Sequence, residues 1–182
     1  MGIREQKKEQ TRRRISDVAT RLFLERGYDA VTTAEIAEAA EISPATLFNY
    51  FPAKEALVFD EDRALEDALA SAVTMRPAGT GILDALRQAI LDGPYLRFAH
   101  DPAYRPFFEL IRSTPALSNY ARAMAARYER AIARAMLDTI GEAEAQAVAH
   151  YVVEALFAAQ RSAHPIETFN ALIDLLKRGF AQ

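Results

Sequence analysis

Two helix-start signals only eleven residues apart constrain this chain most: Thr32 with Glu35 three positions on, and Ser43 followed by Pro44. The first has the spacing of a capping box, in which side chain and backbone satisfy one another's free polar groups. The second is a capping residue followed by proline at the first helical position, where the missing N–H is not needed. Between them fit one short helix, near Thr33 to Ala40, and a turn made of Glu41 and Ile42. No strand alternation competes. With Ile36, Ala37, Ala40, Ile42 and Leu47 as its apolar skeleton, the segment has the pattern of a helix-turn-helix.

Upstream, Ile15, Val18, Ala19, Leu22 and Phe23 recur at the spacing of one helix face. This first helix is expected from about Glu9 to Arg26, stopping at Gly27, because glycine readily takes the left-handed conformation that follows a helix end. Tyr28 to Val31 forms a connector. In the helix after Ser43, roughly 100° per residue turns Leu47 and Phe51 inward and Ala45 and Asn49 outward, flanked by Thr46 and Phe48. That outer strip carries no charge, which suits a helix meeting base edges in the major groove of DNA.

Charge distribution supports the same reading. The chain has a net charge of −3, yet residues 1–14 hold six bases against two acids, while from Glu55 onward 13 bases meet 17 acids. The basic run and Lys54 bracket the outer strip, and bases at such margins supply salt-sensitive attraction to phosphate. A solvated tail followed by a three-helix protein-contact domain is the competing reading of these features.

The stretch GYDAVTTAEIAEAAEISPATLFNYFPAKEAL resembles the DNA-binding segment of the TetR/AcrR family of bacterial transcriptional regulators, over about residues 9–60. The resemblance implies an all-α chain, with a three-helix DNA-binding domain over residues 1–54 and a helical ligand-binding and dimerisation domain over 55–182. It implies a dimer on a near-palindromic operator, repressing until a small molecule releases it. Carried over by position, it places Thr33 against phosphate, Ser43, Ala45, Thr46, Asn49 and Tyr50 at bases or backbone, and Lys54 at phosphate. Asn49 is the best single candidate for base reading, since a carboxamide pairs with the N6 and N7 edge of adenine, and a phosphate contact is its competing role. Three residues depart from the pattern. Phe48 lacks the hydroxyl of the usual tyrosine, Glu41 takes a turn position where glycine is usual, and Ala53 lacks a capping side chain.

Beyond Lys54, Leu57, Val58, Leu65, Leu69 and Val73 continue a helical pattern, leaving Asp60, Glu61 and Asp62 as a solvated face rather than a metal site. Arg76 to Gly81 is a loop, Ile82 to Leu91 a helix, and Asp92-Gly93-Pro94 its end. Aromatic residues then crowd near helix breaks, an arrangement common in pocket walls, although core filling competes. Phe98, Phe107, Phe108, Arg112, Met124 and Tyr128 are the effector-site candidates. A long helix runs from Pro115 until Gly141, followed by helices over about Glu142 to Ser162 and Ile166 to Phe180. Their apolar faces and small alanines suit a four-helix interface between two copies of the chain; packing within one copy competes.

Other classes find less support. Cysteine is absent, and neither GxGxxG nor GxxxxGK[ST] occurs. His100, His150 and His164 form no HxxxH or HExxH pattern, and GxSxG is missing, so no catalytic, metal or cofactor site is assigned. No apolar run reaches the roughly 18 residues of a membrane span, and the basic N-terminus lacks the apolar core of a secretory signal. A cytoplasmic protein is expected.

Overall fold

The computed structural model describes residues 2–60, 62–93 and 95–179; Glu61, Pro94 and Phe180, named above, lie outside them. The described residues are helical, with no strand: α1 Ile3–Arg26, α2 Thr33–Ala39, α3 Pro44–Tyr50, a 3-10 turn Glu55–Leu57 and α4 Asp62–Thr74. Next come α5 Ile82–Asp92, α6 Tyr95–His100, a 3-10 turn Pro102–Tyr104 and α7 Arg105–Ser113. The chain ends with α8 Pro115–Met136, α9 Glu142–Gln160 and α10 Pro165–Gly179. No helix among the described residues is long and apolar enough to cross a membrane. Contacts group residues 1–61 with 106–121 in one compact unit, and 62–105 with 122–182 in another.

In the first unit the apolar positions of α1 close over the helix-turn-helix. Ile15, Ala19 and Phe23 are fully buried with Val31, Ile36, Leu47, Phe51 and Leu57. Each large side chain so buried contributes about 1.5–3 kcal/mol relative to exposure. Phe107, Leu110, Ile111 and Tyr120 pack against the same core, and Phe59 stacks on Tyr120 at 5.2 Å between centroids. Nothing in the local spacing of residues 106–121 announced that return.

In the second unit α9 and α10 form the expected hairpin, with α6 against both and α4 packed on α5. Val152, Ala155, Leu156 and Ala159 of α9 and Phe169 and Ile173 of α10 are buried within the chain itself. Polar ties cross the unit: Arg87 pairs with Asp174, and Lys177 Nζ lies 2.7 Å from Asp84 Oδ1.

Four expected boundaries move by two residues or more. α1 begins at Ile3 rather than Glu9. Its first turns consist of good helix formers and are tied by Thr11 to the Lys7 carbonyl and Arg13 to Glu9. The helix expected to continue from Lys54 is broken: a 3-10 turn precedes α4, and its capping position is Lys54, with no side-chain cap, rather than Ala53. α8 ends at Met136, where the Thr139 N–H folds back on the Met136 carbonyl at 2.8 Å, and α9 stops at Gln160 rather than Ser162. Asp62 is also not part of a solvated face. Its side chain is 5% exposed and pairs with Arg127 of α8, which neutralises it.

Candidate nucleic-acid interface

The two short helices are built by local bonds. Thr32 Oγ1 accepts the Glu35 N–H at 3.2 Å, while Glu35 Oε2 accepts the Thr32 N–H at 2.8 Å, completing the capping box. Arg26 Nη2 lies 2.6 Å from the other Glu35 oxygen. The Thr32 N–H foremost, then the Arg26 guanidinium and the Thr32 hydroxyl, lower the Glu35 carboxyl to about 2.

Between the helices, Glu41 has φ 53, in the left-handed region that glycine enters freely. The Ile42 N–H reaches the Ala37 carbonyl at 2.9 Å and the Glu41 N–H reaches Glu38 at 3.0 Å. That pair of bonds is a Schellman ending, which satisfies carbonyls that a helix otherwise leaves free. Ser43 then opens α3, its Oγ accepting the Thr46 N–H at 3.1 Å and lying 2.8 Å from the Thr46 hydroxyl.

On α3, Leu47 and Phe51 are fully buried, whereas Ala45 and Asn49 are exposed one turn apart. Phe48 is 48% exposed beside them. An uncharged outer strip of methyl, ring and carboxamide thus stands on a helix fixed by its buried face. Thr33, Thr46 and Tyr50 are partly exposed, and Ser43 is exposed at the helix start.

Two bases have structural duties that sequence spacing did not reveal. Lys54 Nζ donates to the Tyr28 carbonyl at 2.5 Å and sits 4.1 Å from the Tyr28 ring centroid and 5.4 Å from that of Phe23. Burial lowers its pKa, although Asp29, Glu55 and Glu35 oppose the shift. Arg12, counted with the basic arm, turns back onto the core and donates to the Tyr50 and Asp60 carbonyls. Arg4, Lys7, Lys8, Arg13 and Arg14 are exposed along α1.

The effector-site candidates fall into both compact units. In the first, Phe107 meets Phe108 edge-on at 5.5 Å, and exposed Arg112 bonds Glu109 at 2.5 Å. In the second, Phe98 stacks on Tyr104 at 4.6 Å, while Met124 and Tyr128 are buried. The Tyr128 hydroxyl donates to the Asp62 carbonyl at 3.3 Å, and burial raises its pKa. An open groove of about 460 Å³ in the second unit, lined by Ser71, Met75, Arg76, Asp84 and Gln88, contains none of the six.

The sequence profile of bacterial regulatory proteins of the tetR family matches residues 15–60, and that of the MftR C-terminal domain matches residues 80–182. The transcriptional regulator TcmR of Streptomyces glaucescens is 38% identical over 88 residues, covering 48% of this chain and 39% of TcmR. MftR of Mycobacterium tuberculosis, a regulator named for mycofactocin biosynthesis, is 32% identical over 127 residues, covering 66% of this chain and 61% of MftR. The chain therefore spans less than two thirds of either relative. The solved structure of Thermus thermophilus FadR, a TetR-family repressor in complex with lauroyl-CoA, shares the fold, with a TM-score of 0.55 and 24% identity over 92% of this chain and 94% of that one.

Proposed function

Because the chain belongs to the TetR family of bacterial regulatory proteins, we propose that it is a ligand-responsive transcriptional regulator of the cytoplasm, a repressor that binds a near-palindromic operator as a homodimer. The observation that carries this reading is the two-faced α3: Leu47 and Phe51 sealed in the core, Ala45, Phe48 and Asn49 outside without charge. Base edges in the major groove present donors, acceptors and thymine methyls, which amide, hydroxyl and apolar side chains match without the cost of desolvating an ion.

Residues 1–54 form the DNA-binding domain in this proposal, and 55–182 the effector-binding and dimerising one. Asn49 reads a base. Ser43, Ala45, Thr46 and Tyr50 meet bases or backbone, and Thr33 meets phosphate from the α2 start. Lys54 has three N–H donors, of which one serves Tyr28, so it approaches phosphate from a fixed position. The last two helices, α9 and α10, form the dimer contact and place two reading helices on successive major-groove turns. An effector at some of Phe98, Phe107, Phe108, Arg112, Met124 and Tyr128 favours a dimer with the wrong separation of reading helices, and shifts the equilibrium by its differential affinity for the two states. The lauroyl-CoA held by the FadR relative motivates an effector of small-molecule class.

Selection from random duplex DNA with the full-length chain tests the reading. A palindrome is expected to emerge; no enrichment even at low salt rejects it. On the selected duplex, Asn49→Ala is expected to lose about 1–3 kcal/mol of affinity, with much smaller loss on scrambled DNA. Equal losses on both remove Asn49 as a base reader.

A further inference from the structure

The C-terminal end of α3 is held from outside the helix-turn-helix, by α1. Arg12 Nη1 donates to the Tyr50 carbonyl at 2.8 Å, while Nε and Nη2 donate to the Asp60 carbonyl at 3.1 and 3.0 Å. The guanidinium also lies 4.3 Å from the Phe51 ring centroid. One turn further along α1, the buried Ser16 hydroxyl donates to the Leu57 carbonyl at 2.8 Å. The carbonyls at a helix C-terminus lack partners within the helix, and a cation there also suits the helix dipole. α3 has only seven residues, so its own hydrogen bonds define its direction weakly.

We propose that Arg12 is a positioning residue for the reading helix: its guanidinium fork spans the Tyr50 and Asp60 carbonyls and fixes the tilt at which Asn49 and its neighbours face DNA. The inference rests on the DNA-binding reading above. It separates Arg12 from Arg4, Lys7, Lys8 and Arg14, which are exposed along α1. Lysine cannot reproduce the fork, because a single ammonium lacks its fixed planar set of donors.

The test uses the full-length chain and two duplexes, the selected one and a scrambled one of the same composition, at several salt concentrations. Arg12→Lys and Arg12→Gln are both expected to lower affinity for the selected duplex about tenfold. Both leave affinity for the scrambled duplex within about twofold and the salt slope unchanged. Arg14→Ala supplies the contrasting pattern, equal loss on both duplexes with a slope shallower by about one. Melting curves fix a temperature at which every variant is folded, so that stability alone does not move the ratio between duplexes. Retained affinity in Arg12→Lys, or equal loss on both duplexes, overturns the proposal. If the wild-type chain selects no sequence, the DNA-binding reading fails and takes this inference with it; a selected site with equal losses removes Arg12 alone.

Discussion

The helix-turn-helix and the second compact unit are both helical, but the polar bonds that fix them differ in reach. Thr32 to Glu35 and Ser43 to Thr46 each span three residues, and the Schellman bond from Ile42 to Ala37 spans five. In the second unit Tyr128 bonds Asp62 across 66 residues, Arg87 meets Asp174 across 87, and Lys177 meets Asp84 across 93. Short bonds set where α2 and α3 start and stop, and α1 holds them through its apolar face and a few polar ties at Arg12 and Ser16, whereas in the second unit long ties set which helices lie side by side.

The comparison predicts where damage is largest. Leu47→Ala removes a fully buried side chain at the centre of the small core and is expected to cost about 2–5 kcal/mol. Hydrogen exchange resolved along the chain should show the loss in residues 1–61 and little in 122–179; uniform loss breaks the contrast between the two units. Arg127→Ala is expected to cost about 1–3 kcal/mol by leaving Asp62 buried without its cation, a range reduced because Arg127 is 32% exposed. Urea unfolding of Arg127→Met with Asp62→Leu should recover much of that loss, since an apolar pair needs no compensation. Failure to recover it means that the pair specifies packing beyond its charge.

Glu41→Gly sharpens the comparison in the opposite direction. A non-glycine residue at φ 53 is strained by about 1–2 kcal/mol, part of which is offset because glycine also loosens the unfolded chain. A gain of up to about 1 kcal/mol is expected in thermal unfolding, and a loss would show that the glutamate side chain itself holds the turn.

This difference in reach also explains what the sequence disclosed. Thr32, Glu35, Ser43, Pro44 and Gly27 announce helix ends through neighbours within a few positions, so the helix-turn-helix and its outward strip were legible before any coordinates. Asp62 reads as solvated in the sequence because its cation comes from Arg127, 65 positions away. Arg12, three residues before Ile15 and seven before Ala19, shares the buried face of α1 as Arg13 and Arg14 do not, but charge counting alone groups all three, and only the folded path brings Tyr50 and Asp60 to Arg12. The effector-site candidates rest on aromatic rings near helix breaks, on Arg112 as a polar neighbour and on the adaptable side chain of Met124; residue type does not encode partners, and their contacts divide them between the two units.

The smallest expected effect concerns the capping box, and its sign follows from the direction of the shift. Glu35 has its carboxyl lowered from an ordinary value near 4.5 to about 2 by the Thr32 N–H, Arg26 and the Thr32 hydroxyl. A group depressed in the folded state stabilises fully above its unfolded value and loses that contribution as pH falls through the folded one. Wild type and Glu35→Gln should therefore differ in unfolding free energy by a constant amount above about pH 5 and converge steadily between about 4.5 and 2. The carboxylate is solvent-facing, so added salt should weaken the part of the difference that belongs to Arg26 and leave the hydrogen bonds to Thr32. A difference that stays flat down to pH 2 would mean that the α2 start is held by core packing around Ile36 and Ala37, and the small domain would then depend on local caps less than the contrast between the two regions requires.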